Sequence, residues 1–254
     1  PVQGLMVYCT NCGANGGTQS YNGASWVNLV GGVATAGLAC GYTVTFNYNG
    51  SSVTYGTVTG ADSKCWLDRN LGASQVANSY NDYLAYGDFY QWGRGADGHQ
   101  TIVWTSSTSS DASEQTQETS DLSSLDQPGH GDFITAGNRD WRSPQNDNLW
   151  QGVNGVNNPC PSGYRLPTEA ELVAEYQSWS STNSSAAFSS PLKLPVAGER
   201  SGQDGDLEQV GVNGHYWSET GNAHLARVLV FYNIGIRMEN GSRASGYSVR
   251  CIKD

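Results

Sequence analysis

Residues 225–236 restrict the folding of this chain more than any other segment. Leu225, Arg227, Leu229 and Phe231 alternate there with Ala226, Val228, Val230, Tyr232, Ile234 and Ile236. Successive side chains of a strand point to opposite faces, so a half-buried strand leaves one of the two sets polar. Here both sets carry apolar groups. The strand is therefore covered on both sides, or its second face is an adhesive surface. A last strand over residues 247–252 follows it.

Composition narrows the class. Glycine supplies 32 of 254 residues, roughly twice its usual share of about 7%. Charged residues make up only 14%, while aromatics reach 11% with 8 Trp and 14 Tyr. Aromatic area of this kind offsets chain entropy and argues against disorder. The net charge of −10 comes without a basic run, which excludes a nucleic-acid backbone as partner. No stretch approaches the roughly 20 apolar residues of a spanning helix, so membrane insertion is not expected.

Turn signals divide the chain. Residues 1–38 read as a small β-rich segment, with strands at 4–8 and 24–29 and turns at Ala14-Asn15-Gly16-Gly17 and Asn22-Gly23. A Gly/Ala-rich link over 31–37 sets the boundary, and residues 39–254 form the main domain. Residues 42–46 and 53–58 predict a hairpin across Asn47-Tyr48-Asn49-Gly50. Residues 83–92 space Leu84, Phe89 and Trp92 as a helix does, broken by Gly87. The Ser/Thr/Asp/Glu/Gln tract at 105–128 has little to bury and reads as a long solvated surface insertion. The clearest helix starts after Thr168, which forms a capping box with Glu171. Leu172, Tyr176 and Trp179 share its buried face, and Ser/Asn-rich residues 180–185 end it.

Motifs for chemistry are sparse. Cys9 and Cys12 form a CxxC with Cys40 as the only nearby third ligand, and Cys40, Cys65, Cys160 and Cys251 lie at strand or loop edges. Structural disulfides of unspecified connectivity, free thiols and a metal site are all compatible with that spacing. The histidines are His99, His130, His215 and His224, without HExxH or two-His-plus-carboxylate spacing. They read as surface residues, or as ligand contacts where His215 and His224 flank Tyr216-Trp217-Ser218. There is no GxSxG, P-loop or GxGxxG. Asp82, Asp88, Asp97, Asp132, Asp147 and Glu199 could supply oxygens to a structural calcium, although no EF-hand loop occurs. No other cofactor is expected. Between His215 and Arg243 the sequence concentrates Tyr, Trp, Arg and Asn, the residue types of binding hot spots and antibody-like surfaces. The competing reading is an ordinary β core with Gly-rich turns.

A series of motifs then resembles a known family. Asp62-Ser63-Lys64-Cys65-Trp66-Leu67-Asp68-Arg69-Asn70-Leu71-Gly72-Ala73, Tyr86-Gly87-Asp88-Phe89-Tyr90-Gln91-Trp92-Gly93-Arg94 and Asp140-Trp141-Arg142-Ser143-Pro144 open the series. Cys160-Pro161-Ser162-Gly163-Tyr164-Arg165-Leu166-Pro167-Thr168 with Glu171, Tyr216-Trp217-Ser218, and residues 243–251 complete it. In order and content they resemble the Fibrobacter succinogenes major paralogous domain over about residues 40–254. The resemblance implies an α+β, C-type lectin-like fold of the formylglycine-generating-enzyme subclass, preceded by the small β-rich segment. That branch includes variable proteins of diversity-generating retroelements, displayed on phage, virus or cell surfaces, whose C-terminal segment is rewritten to bind new targets. It implies a variable ligand-binding region at 215–243. His215, Tyr216, Glu219, Asn222, His224, Ala226, Val228, Val230, Tyr232, Ile234, Ile236, Asn240 and Arg243 are then the contacts to a protein or glycan ligand. Leu229 and Phe231 point inward in that reading, and Val228, Val230, Tyr232, Ile234 and Ile236 point outward on one strand, where exposed apolar groups suit a binding face. The alternatives are a non-diversified surface adhesin or carbohydrate-binding module, and an oxidase of the formylglycine-generating type. The oxidase needs a close cysteine pair in the C-terminal part, where Cys251 stands alone after Cys160. The Glu-Pro-Asn calcium triplet of sugar-binding lectins is also missing.

Overall fold

The computed structural model describes residues 6–9, 17–21, 26–28, 40–108, 113–114, 117–136 and 140–254. It is α+β and rich in sheet, with two short α-helices among the described residues. β1 (Met6–Cys9), β2 (Gly17–Tyr21) and β3 (Trp26–Asn28) form a three-stranded antiparallel sheet. The Ala14–Gly16 part of the first expected turn, the Asn22-Gly23 turn, Cys12 and the 38/39 boundary lie outside the described residues.

The expected hairpin is present as β4 (Thr43–Tyr48) and β5 (Ser51–Thr59). Asn49 and Gly50 close it with φ of 48° and 79°. Two consecutive positive-φ residues give the turn whose twist matches the strands, and Asn-Gly is the pair that adopts it readily. Val44, Phe46 and Tyr48 turn inward and pack on the core. β6 (Cys65–Leu67) pairs with β5, and Cys65 is joined to Cys40.

Residues 83–92 are not the helix that their spacing predicts. A 3-10 turn at Tyr83–Ala85 gives way to β7 (Phe89–Gln91). Gly87 sits at φ 73°, and a Cβ there would meet the Leu71 carbonyl oxygen at 2.3 Å. The break therefore decides the segment: Phe89 and Trp92 are buried while Leu84 is exposed. The polar tract at 105–128 also departs from a simple solvated loop. β9 (Ser113–Glu114) pairs with β8 (Ile102–Val103), and β10 (Glu118–Thr119) runs parallel to β11 (Phe133–Ile134). Glu118 reaches the fully buried Arg200 at 3.1 Å, a use that composition alone does not reveal.

β12 (Tyr164–Arg165) leads into α1 (Glu169–Gln177). The capping box forms as expected: Glu171 N–H donates to Thr168 Oγ1 at 3.2 Å and Thr168 N–H donates to Glu171 Oε2 at 2.8 Å. Leu172 is buried, and Tyr176 and Trp179 pack beside it. The Ser/Asn run that ends α1 also starts α2 (Ser184–Ser189), whose Asn183 cap accepts from Ala186 N–H at 3.0 Å.

The C-terminal third builds the larger sheet: β13 (Glu199–Arg200), β14 (Leu207–Glu208), β15 (Gly214–Asn222), β16 (Leu225–Tyr232), β17 (Gly235–Ser242) and β18 (Gly246–Ser248). Its order is β14-β13-β18-β15-β16-β17, with β7 also paired to β18. β19 (Ile252–Lys253) returns to the five-stranded sheet of order β12-β19-β6-β5-β4, and Cys160–Cys251 staples that return. Residues 225–236 are thus not one strand. The chain reverses at Asn233-Ile234, with Tyr232 opposite Gly235 and Phe231 opposite Ile236. Among the described residues no helix is long and apolar enough to cross a membrane.

Candidate functional site

Strand pairing sorts the C-terminal sheet into two faces. Tyr216 lies opposite Leu229, and Phe231 opposite Ile236, so these four share the face that meets the helices. Leu172, Ala187, Leu192 and Leu194 pack there with Leu229 and Phe231, and the Trp179 ring meets Phe231 edge-on at 5.9 Å. On the other face His215 lies opposite Val230, Trp217 opposite Val228, and Arg237 and Glu239 opposite the same two valines on β17.

The second face is not an oily surface open to solvent. Val228 is 1% exposed and Val230 3%, while Ala226 is fully buried. Two aromatic rings lie across them. Trp217 and Tyr247 are packed at 4.3 Å between centroids. A Cβ on Gly241, the cross-strand partner of Ala226, would come within 2.7 Å of the Tyr247 ring and 2.9 Å of the Trp217 ring. The glycine leaves room for the two rings, which pack with Val228 and Val230 in one buried cluster and cover them. The expectation of outward Val228 and Val230 is therefore corrected: the strand is covered on both sides. Ile236 is corrected too, because the turn at Asn233-Ile234 puts it on the helix-side face, half-buried against Phe231.

Other expected contacts are frame rather than surface. Tyr216 is buried, stacks on Phe231 at 5.6 Å, and donates its hydroxyl to the Pro195 carbonyl at 2.9 Å. Arg243 is 1% exposed, sits 4.2 Å over the Trp92 ring, and donates to the Leu225 carbonyl at 2.9 Å. Asp140 and Asp147 neutralise it. Glu219 is half-buried and accepts from Gly152 N–H at 3.0 Å; burial raises its carboxyl above the usual range. What remains accessible lies at the two hairpin turns and along the outer strand. Asn222, His224 and Asn240 are exposed, with Asn222 donating to Asn240 Oδ1 at 2.7 Å. Ile234 is 81% exposed at the opposite turn, and Tyr232 is half-buried beside it.

The accessible part of the second face is a polar cleft of about 210 Å³, floored by Val228 and Val230 and walled by Glu199, His215, Tyr232, Arg237, Glu239 and Tyr247. A wider groove of about 590 Å³ shares Glu199 and Asn240 with it and runs on past Ser201, Glu208 and Ser242. Burial raises the Glu199 carboxyl to about 7, helped by the negative charges of Glu208 and Glu239, while the Tyr247 hydroxyl pulls the other way. Burial holds the His215 imidazole down at about 4, and Arg237 adds to the effect. The ring is therefore neutral at pH 7, stacked on Tyr247 at 5.1 Å. Arg237 is tied to Glu239 and donates to the Tyr232 hydroxyl at 2.8 Å. Glu199, singled out in the sequence only as a calcium ligand, and Glu208, Glu239 and Tyr247 are site residues that the strand alternation alone does not find. Recognising the turn at 233–234 is the signal that would have set Arg237 and Glu239 opposite the valines.

The carboxylates considered for calcium are dispersed, and among the described residues no cluster of three or more His, Cys, Asp or Glu is placed to hold a metal ion. Asp88 instead accepts from the Tyr48 hydroxyl at 2.7 Å, and Asp97 pairs with Arg94 at 2.7 Å and with His99 Nδ1 at 2.6 Å. Cys40, Cys65, Cys160 and Cys251 are joined as two disulfides. No family model, curated protein or solved structure matches the chain.

Proposed function

We propose that the chain is a recognition protein on a C-type lectin-like scaffold over residues 39–254. Its ligand surface is the polar cleft together with the two hairpin turns of the C-terminal sheet. Residues 215–243 are diversified by a retroelement, and the protein is displayed on a virion, phage or cell surface. The observation that carries this reading is the division of labour within 215–243. Tyr216, Ala226, Val228, Val230 and Arg243 are buried in the frame, whereas Arg237 and Asn240 are exposed at the cleft and Asn222, His224 and Ile234 at the two hairpin turns. Substitution at exposed positions away from structural contacts usually costs within about 0.5 kcal/mol, so the second set can vary while the first holds the surface in place. Disulfides persist in oxidising surroundings, which suits display outside a cell.

The coding locus tests the proposal. A near-copy of the segment encoding 215–243, differing at adenines and accompanied by a reverse transcriptase, is expected. Its differences should fall on the exposed set and spare the buried one. Lack of the copy reduces the protein to a fixed surface module, and oxygen consumption on cysteine-containing peptides would replace recognition by catalysis.

A further inference from the structure

We propose that two copies of this chain join along the free edge of β17, antiparallel and edge to edge, with Met238 on the two-fold axis. β17 ends the larger sheet on one side, and β14, of two residues, ends it on the other. Tyr232 and Gly235 flank the two-residue turn and exchange hydrogen bonds, so Gly235, Arg237, Glu239 and Gly241 bond to β16 along the hairpin. The N–H and C=O groups of Ile236, Met238 and Asn240 therefore point away from the sheet, and no hydrogen bond among the described residues occupies them. Such a row of groups is a template for another strand unless proline, lysine, a bulge or brevity blunts it. β17 runs over eight residues without proline or lysine, and its register against β16 is unbroken.

The charge pattern points to a second copy as the occupant. Antiparallel pairing about Met238 sets Arg237 opposite Glu239 of the partner subunit, Glu239 opposite the partner's Arg237, and Ile236 opposite the partner's Asn240. Sliding the strands to either neighbouring register sets Arg237 against Arg237 or Glu239 against Glu239, like charges that repel. Sliding further sets them against Gly235 or Gly241 and shortens the ladder. The strand is thus complementary to itself in one register, as an isologous two-fold contact requires. That register gives about six main-chain hydrogen bonds, two for each pair of outward-facing residues. It also brings Ile234, at 81% the most exposed large apolar side chain among the described residues, alongside Ser242 of the partner subunit. Arg237 and Glu239 line the cleft, and antiparallel pairing keeps each face of the sheet on its own side, so the two clefts open next to each other on one surface. The inference goes beyond the recognition reading and gives it a bivalent face.

Sedimentation velocity of the full chain over about 5–500 µM tests the contact, since an interface of one strand pair is small and associates weakly. A monomer–dimer equilibrium is expected. Arg237→Glu and Glu239→Arg each set like charges opposite one another and should each weaken the dimer at least about tenfold. Mixed in equal amounts, the two variants again present opposite charges across the axis and should form a heterodimer. The variant carrying both exchanges should dimerise as the wild type does. A chain that stays monomeric throughout, a dimer that neither exchange weakens, or a mixture that stays monomeric overturns the proposal. A template copy at the locus with a monomeric chain leaves recognition standing and removes only the doubled surface.

Discussion

Replacing Val228 and Val230 by alanine measures directly whether the second sheet face is sealed. Each substitution removes two methyl groups from a side chain that is 1% or 3% exposed. At about 0.8 kcal/mol per buried carbon group, transfer accounts for about 1.6 kcal/mol. Trp217 and Tyr247 share the same buried cluster and are themselves packed at 4.3 Å, so the site collapses poorly. An unrelaxed void of about 40 Å³ at about 24 cal/mol per Å³ adds about 1 kcal/mol. Each valine is thus worth about 2.5 kcal/mol. The pair shares neighbours, so the double variant should lose about 4–5 kcal/mol without strict additivity. Serine in place of alanine adds a buried hydroxyl without a partner, about 1–3 kcal/mol more. Ile234→Ser, at a position 81% exposed, is the control and should stay within about 0.5 kcal/mol. Urea unfolding reads all of these as a shift of midpoint at constant slope. If the double alanine variant loses less than about 1 kcal/mol, the rings do not close over the valines and the outward apolar face is restored as the binding surface.

Four further outcomes follow from the same geometry. Glu199 is raised from 4.5 to about 7, so the folded state binds its proton more tightly than the unfolded chain. The stability this contributes is full below about pH 4.5 and lost as pH rises through 7; Glu199→Gln should therefore gain on the wild type above pH 7, by on the order of 2–3 kcal/mol, and lose that advantage in acid. His99 and His215 run the other way, held at about 4 by burial, and their contribution, present above about pH 6.5, falls away toward pH 4, so His215→Asn should flatten acid unfolding curves. Thr168→Ala should cost about 1 kcal/mol by removing the helix cap, and Glu171→Ala about 2 kcal/mol, since it also removes one of the two carboxylates on the nearly buried Arg165, 2.8 Å away, and leaves it only Asp254. Reduction of Cys160–Cys251, which closes 91 residues, should cost about 4–5 kcal/mol, against about 3.5 kcal/mol for the 25-residue span of Cys40–Cys65; thermal unfolding of the matching Cys→Ala pairs checks the order.

Local signals were legible because they are completed by nearby residues. The Asn49-Gly50 turn needs only two positive-φ residues between alternating strands, and the Thr168–Glu171 box needs only four consecutive ones. Where the sequence misled, the decisive contact is remote. The turn at Asn233-Ile234 uses no positive φ and places an isoleucine in a two-residue loop, so the apolar alternation runs through it unmarked and shifts Ile236 to the other face. The cover on Val228 comes from Tyr247, on a strand that reaches it through β15. The choice between a doubly covered strand and an adhesive one was therefore visible in the alternation, but the rings that decide it were not.

The same distance explains why Arg243 reads as a hot spot and is not one. This fold has short strands and long irregular connections, and such loops cannot be fixed by apolar burial because their backbone carbonyls need donors. Buried guanidiniums supply them. Arg94 donates to the carbonyls of His130 and Asp132, Arg200 to that of Gly205, Arg243 to that of Leu225 and Arg250 to that of Leu192. An arginine offers five donors in a rigid fork and stacks on aromatic faces, as Arg200 does on Phe133 at 4.1 Å and Arg243 on Trp92 at 4.2 Å. Those properties also make arginine frequent at binding hot spots, so residue type cannot separate the two roles. The acceptor can. An arginine whose fork is spent on carbonyls of its own chain is a fastener for loops. Arg237 is bound instead by two side chains at the rim of a cleft, and a partner can compete for it. A charge-removing Arg237→Gln should thus alter binding with little loss of stability, while Arg243→Gln should unfold the hairpin ends and destroy the cleft with them.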